Sequence, residues 1–401
     1  MLAFAAMVAV TTEFIVVGLL PQMARDLGLP IASAGTLVSG FALAAALFGA
    51  PLTLLGARLA PHRVLATVML CFAAGNLAIA IWPGYPLVLA VRVVEGAGLP
   101  VLISVGSAAA ARLAAAGQAG RAVAGLYFGV AAAIALAIPA GVLLADCIGW
   151  RGSFAALALA AAGAAAWLVT AFPRLQASAS GPILAQAAIL RQSRFALHLL
   201  LSACLTAATF SAYSYLAAWL HVVAGYGSAG IALALMGFGA MGVPGTWIAG
   251  RLAERGPVAA SLGAALLLVP ILAGLTLAGP DPRLLAPLLA AWGMTQAAVL
   301  LLCQVRTMLA APAAPAFAGA LNLSACNLGI AAGAIAGGWT ITRFGIGALG
   351  LTAAALACCA VAVAVLLPFG GSNETARSAR HPPGARIHWG GRARTRQLPS
   401  Q

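Results

Sequence analysis

"GAPLTLLGARLA" (residues 49–60) and "GVPGTWIAGRLA" (residues 242–253) align without a gap and share six of twelve residues: a glycine, a proline, a threonine and a terminal Arg-Leu-Ala. The offset from 49 to 242 is 193 residues, close to half of the 401-residue chain. A second echo lies further along. Gly125, Gly129, Ala133, Ala137 and Gly141 put a small residue at every fourth position, and Ala325, Gly329, Gly333 and Gly337 repeat that spacing at an offset, from Gly129 to Gly329, of 200. Small residues at i and i+4 line one helix face and let backbones approach closely, which suits helices packing in lipid. Two echoes at nearly equal offsets predict one unit written twice.

Composition says what that unit is made of. The chain is 63% hydrophobic and 7% charged, with a mean hydropathy of +1.05. Soluble domains carry about 25% charged residues. The apolar residues run on without strand-like alternation, and a run of roughly 20 is enough to cross a bilayer as a helix. Twelve such runs separate at proline and glycine punctuation: 3–22, 33–55, 64–82, 86–108, 120–143, 152–172, 195–217, 229–250, 257–277, 284–308, 318–341 and 346–367. The predicted fold is therefore all-α: a polytopic membrane protein with twelve transmembrane helices in two pseudo-symmetric six-helix bundles. Residues 1–172 form the first bundle, 173–194 a linker, 195–368 the second bundle and 369–401 a basic, disordered tail. Repeats of this kind rocking against each other describe an alternating-access transporter.

The net charge of +14 comes from arginine alone. Loops expected on one face carry Arg58, Arg63, Arg112, Arg121, Arg174, Arg191, Arg194, Arg251, Arg255 and Arg306; those on the other carry Arg25, Arg151, Arg283 and Arg343. Ten against four places both termini in the cytoplasm, and Arg377, Arg380, Arg386, Arg392, Arg394 and Arg396 of the tail fall on the same side. Arginine spread along helix ends is a topology signal, so no nucleic-acid partner is expected. The sequon at 373–375 would be silent there. The seven cysteines and five histidines have no metal-ligand spacing, so no metal and no cofactor are expected. No nucleophile elbow, nucleotide loop or channel filter is present, which disfavours a membrane enzyme, a pump running on its own ATP hydrolysis and a channel. The first run starts almost at Met1 with no separate signal peptide, a short beginning that suggests a misassigned start codon.

Several phrases carry a family resemblance. "EFIVVGLLPQMARDLGLPIASAG" (13–35), "RVVEGAG" (92–98), "IPAG" (138–141) and "GRLAER" (250–255) occur in the order and spans where the major facilitator superfamily has its motifs. The chain resembles that family's twelve-span drug:proton antiporter branch, the arabinose-efflux-like permeases, over about residues 1–370. The resemblance implies export of a small organic molecule in exchange for protons, by a protein that works as a monomer in the bilayer of the cell's inner membrane. A proton-coupled sugar, nucleoside or metabolite permease is the alternative. It also implies gating by Arg58, Gly250, Glu254 and Arg255 at the loop motif and by Pro139 and Gly141 in the fifth span. The first loop departs from the motif: Ala57 and Pro61 stand where the family has glycine and an acid.

Ionisable groups within a membrane are costly and mark function by default. Glu13 lies eight residues, roughly 12 Å, from the predicted outer end of its span, and Arg92 and Glu95 roughly 9 and 14 Å from theirs. All three thus reach one level, and Arg92 and Glu95 share a helix face. Either Glu13 or Glu95 exchanges a proton beside Arg92, or Arg92 and Glu95 form a static pair tying the fourth span to the first. Tyr213, Tyr215, Gln296, Asn322 and Asn327 are polar groups within apolar spans and are candidate substrate contacts. They are equally able to hydrogen-bond between helices. Trp219 and His221 are expected at the membrane interface.

Overall fold

The computed structural model describes residues 1–82, 84–115, 118–177, 192–312 and 314–367. The linker interior with Arg191, and the tail with its six arginines, sequon, His381 and His388, lie outside these. Eleven helices among the described residues are long and apolar enough to span a membrane. One of them, Arg121–Ala171, has 51 residues and breaks at Gly149. There φ is 75°, a conformation that glycine adopts without steric cost. One residue thus reverses the chain where the sequence predicts a loop over 144–151, and the crossings number twelve.

We label them α1 (Leu2–Asp26), α2 (Thr36–Gly56, preceded by the turn Ile31–Ala34), α3 (Pro61–Ile81), α4 (Tyr85–Leu113), α5 (119–148) and α6 (150–171). The second half follows as α7 (Ser193–Val222), α8 (Ser228–Arg255), α9 (Pro257–Ala278), α10 (Pro282–Leu309), α11 (Pro315–Phe344) and α12 (Leu349–Val365). The predicted first span stops four residues short, because α1 continues through Pro21 to Asp26. Asp26 then accepts the indole N–H of Trp150 at 2.8 Å, fastening α1 to the start of α6.

The repeat is visible atom by atom. A Cβ placed on Gly129 would strike the Ala3 carbonyl of α1, and one on Gly329 would strike the Ala203 carbonyl of α7, both partners displaced by 200 residues. Gly333 and Gly337 continue up α7 against the backbones of Ala207 and Ser211, so the small-residue column of α11 is a helix–helix seam. Likewise Gly96 of α4 sits on the Phe41 carbonyl of α2, and Gly293 of α10 on the Phe238 carbonyl of α8, both displaced by 197. The quoted phrases match at 193. The difference of four residues is about one helical turn, so either register presents the same face.

Between the halves, α2 packs on α11, α5 on α8 and α1 on the end of α7. The α5–α8 contact is built on a π-helical turn, Ala133–Ala137, just ahead of Pro139. Proline has no N–H and its ring crowds the carbonyl four residues back; the wider turn accommodates it. Gly239 of α8 rests on that turn, at a spacing where a Cβ would come within 2.9 Å of the Ile134 oxygen.

Candidate functional site

Arg92 is the centre of the first half. It is fully buried, and its fork points at backbone: one terminal nitrogen donates to the Thr12 carbonyl at 2.6 Å, the other to the Glu13 carbonyl at 2.6 Å, and Nε to the Leu37 carbonyl at 3.3 Å. Its guanidinium lies 4.2 Å from the centroid of the Phe41 ring. Arg92 therefore joins α4 to α1 and α2; its hydrogen bond to residue 13 is to the main chain, while its charge also lies within reach of the Glu13 carboxylate. Asn76 of α3 donates to the Thr12 hydroxyl at 3.2 Å and completes the cluster.

The two carboxylates part company. Glu95 is sealed in the first bundle, with one oxygen 3.6 Å from Arg92 and neither oxygen hydrogen-bonded. Its other oxygen faces Gly75 of α3, where an added Cβ would lie 2.9 Å away. Glu13 faces the other way, toward the second half, within electrostatic reach of Tyr213. Its carboxylate forms neither an ion pair nor a hydrogen bond with a described residue.

Opposite Glu13 stands a group of rings. Tyr213 stacks on Phe238 at 5.2 Å and meets Trp292 edge-on at 6.3 Å; Phe238 and Trp292 are 5.2 Å apart. Phe14, beside Glu13, crosses from the first half to stack on Phe210 at 5.8 Å and touch Tyr213 at 6.2 Å. Of this group the sequence singles out only Tyr213, since aromatic residues in an apolar helix read as core.

The other candidates scatter. Tyr215 is buried, and its hydroxyl donates to the Ala334 carbonyl at 2.8 Å and lies 3.4 Å from the Ala32 carbonyl across the halves; it is a clasp at the Ile31 end. Asn322 holds helices together: its amide donates to Gln304 at 2.9 Å and its oxygen accepts from Ser202 at 2.7 Å and Thr307 at 3.1 Å. Asn327 donates to the Leu323 carbonyl of its own helix. Gln296 is buried, and its oxygen has no partner. Trp219 is buried within the protein, whereas His221 is exposed.

The loop-motif residues Arg58, Glu254 and Arg255 are exposed, and Glu254 makes no ion pair among the described residues. Gly250 has open space where a Cβ would be. Arg251 instead lies over Trp247 at 3.3 Å. Arg255 borders an apolar cleft of about 430 Å³ between α8, α9 and α10. Gly141 packs on Ile15, and its carbonyl accepts from Ser153 of α6 at 2.8 Å.

Among the arginines assigned to the loops, one of the described residues is buried. Arg306 lies in the last turn of α10, only 1% exposed. It donates to the His198 carbonyl and the Ser202 hydroxyl at 2.9 Å and faces the His198 ring nitrogen at 3.0 Å. No carboxylate lies within 4.0 Å among the described residues. The signal for it in the sequence is its neighbourhood, "LLCQVRTML" (301–309), which is apolar on both sides.

Two bundles related by a repeat leave a choice among transporter families, and comparison with known proteins makes it. The model of the Major Facilitator Superfamily matches residues 2–334. The chain belongs to this superfamily. A chloramphenicol resistance protein of Streptomyces lividans is 35% identical over 374 residues, covering 92% of this chain and 95% of that protein. An uncharacterized MFS-type transporter of Bacillus subtilis (strain 168), YtbD, is 30% identical over 353 residues, covering 86% and 88%. Among solved structures, an inward-facing, occupied bacterial homologue of the human lysosomal transporter Spinster superposes with a TM-score of 0.72 at 16% identity, covering 91% of this chain and 93% of that one. A nucleoside transporter follows at 0.71 and 18%, covering 91% and 98%. Those two likenesses establish the fold alone. As a Major Facilitator Superfamily member, the chain is a multi-pass membrane transporter and not an enzyme.

Proposed function

We propose that this transporter exports a small, largely apolar organic molecule, with chloramphenicol the first compound to try, in exchange for protons. The moving bodies are residues 1–172 and 195–368, joined by 173–194, and the two alternately open to either side of the cytoplasmic membrane. Both termini face the cytoplasm; with Arg306 taken out of the loops, nine arginines against four still favour that orientation. The exporter direction is supported by the chloramphenicol resistance protein at 35% identity.

The observation that carries the coupling is that the Glu13 carboxylate is held by no hydrogen bond or close ion pair with a described residue. It sits at mid-helix, accepts no hydrogen bond from a described residue and lies within electrostatic reach of both Arg92 and Tyr213, so a proton arriving there displaces no donor. Glu95 lacks that access, because Arg92 and α3 enclose it. Glu13 takes a proton when the outer side is open and gives it up when the inner side is open; substrate travels the other way. Arg92 acts on Glu13 as a positioning residue by gripping the main chain beneath it.

Proteoliposomes containing the purified protein test this. Chloramphenicol flux is expected to follow an imposed pH gradient in the wild-type protein. In Glu13→Gln the gradient-driven flux falls at least tenfold while exchange of labelled for unlabelled substrate persists. Unchanged gradient-driven flux in Glu13→Gln would remove Glu13 from the coupling step.

A further inference from the structure

Three independent features converge on the inner face of the second half. The first is a pair of orphaned polar atoms. Trp292 is fully buried and its indole N–H has no acceptor; Gln296 is 7% exposed and its side-chain oxygen has no donor. They are four residues apart on α10, hence one above the other on the same face. Buried donors and acceptors are nearly always paired, and an orphaned pair calls for an explanation.

The second is what occupies the space beside them. Tyr213, Phe238 and Trp292 present ring faces and edges at 5.2 to 6.3 Å from one another. Phe14 of the first half, itself only half-buried, seats its ring on Phe210 and Tyr213. The chain thus supplies its own aromatic group to this surface. Phe14 belongs to the opposite body, so it is withdrawn whenever the halves part, and the surface is left open for a ring of similar shape.

The third is charge. Residues 195–220 of α7, 228–250 of α8 and 284–305 of α10 contain no Asp, Glu, Lys or Arg. These helices therefore offer a full charge no counter-ion of their own to offset its lost hydration, and the carboxylate facing them, Glu13, is the one assigned above to the proton.

We propose that the second half binds a neutral aromatic molecule whose ring takes the place of Phe14 on Tyr213 and Phe210. An acceptor on that molecule receives the Trp292 N–H, and a donor about one turn away reaches the Gln296 oxygen. This rests on the export reading above and names its substrate class. Proton and substrate then occupy opposite halves and meet only through the adjacent residues Glu13 and Phe14: seating the ligand ring requires Phe14, and with it Glu13, to move.

Equilibrium binding of radiolabelled chloramphenicol to the full-length protein in detergent tests the assignment, with D-xylose as a ringless neutral probe and ethidium as an aromatic cation. Chloramphenicol is expected to bind more tightly than either. Trp292→Phe and Gln296→Leu each weaken it, by roughly threefold to tenfold for one lost hydrogen bond. Phe14→Ala strengthens it, because the internal competitor is gone. The rise with Phe14→Ala cannot come from damaged folding, so it guards against a misfolded Trp292 variant. A preference for xylose or ethidium overturns the proposal, as does unchanged binding in Trp292→Phe, Gln296→Leu and Phe14→Ala together, even if gradient-driven flux is intact. If flux is not driven by the pH gradient but the binding order holds, the coupling reading fails and the substrate class stands. A protein that binds none of the three probes overturns this substrate class.

Discussion

Place the first half over the second and the same scaffold carries two opposite chemistries. At the offset of 200 that relates α1 to α7, Glu13 corresponds to Tyr213. At the offset of 197 that relates α2 and α4 to α8 and α10, Phe41 corresponds to Phe238, Arg92 to Leu289 and Glu95 to Trp292. The ring beneath is retained, but over Phe41 lies a guanidinium at 4.2 Å, and against Phe238 lies an indole at 5.2 Å. The helix crossings are equivalent, so the difference lies in side chains alone. A backbone seam tolerates little change when a Cβ would collide with a carbonyl, whereas the layer above it can be rewritten. At this level one half carries ionisable groups and the other aromatic ones, which in the reading proposed above divides the labour between proton and substrate.

The sharpest way to break this comparison is to give the first half the second half's apolar layer. Arg92→Leu strips the donors from three backbone carbonyls and leaves Glu95 as a buried charge without its partner. Loss of one member of a buried pair costs about 3 to 5 kcal/mol, so thermal unfolding followed by size-exclusion fluorescence should show the largest drop of any single variant. Arg92→Leu/Glu95→Leu should recover part of it, since both charges are then gone. A double variant no more stable than the single one would mean that Glu95 is indifferent to Arg92 and that the pair is not a unit.

A smaller effect sharpens the symmetry. Gly96→Ala and Gly293→Ala each force a methyl group onto the carbonyl of an equivalent phenylalanine, and overpacking of this kind costs about 1 to 3 kcal/mol. The two variants should lose similar stability in the same melting assay. If one is neutral and the other damaging, the crossings are not equivalent despite their geometry.

The contrast between halves also explains what the sequence discloses. Hydropathy and small-residue spacing report on the bilayer and on helix seams, so twelve crossings and the repeat were legible. Boundaries were blurred where one residue does the work of a loop, as at Gly149, or where α1 runs on to Asp26. In the first half the buried cluster was legible, because Glu13, Arg92 and Glu95 stand out against lipid; that Arg92 grips the backbone of residue 13 was not, since carbonyls leave no mark in a sequence. In the second half Phe238 and Trp292 resemble any core residue, and only their match to Phe41 and Glu95 picks them out. Arg306 was misread because an arginine near a helix end serves equally as a topology marker or as a buried donor, and only the surrounding contacts to His198 and Ser202 separate the two.

The smallest expected effect concerns the loop motif, where the second half has an acid and the first does not. The family resemblance implies a latch at Glu254, yet the side chain is exposed and makes no ion pair with a described residue, and Pro61 at the matching place in the first half offers no charge. An exposed carboxylate with no partner contributes little to folding, and surface substitutions of this kind stay within about 0.5 kcal/mol. Glu254→Gln should therefore leave the melting temperature unchanged. If Glu254 latches a conformation other than this one, the variant will instead alter the flux rate at unchanged stability. A clear loss of stability would mean that the latch is already closed here, through a contact that the exposed carboxylate does not display.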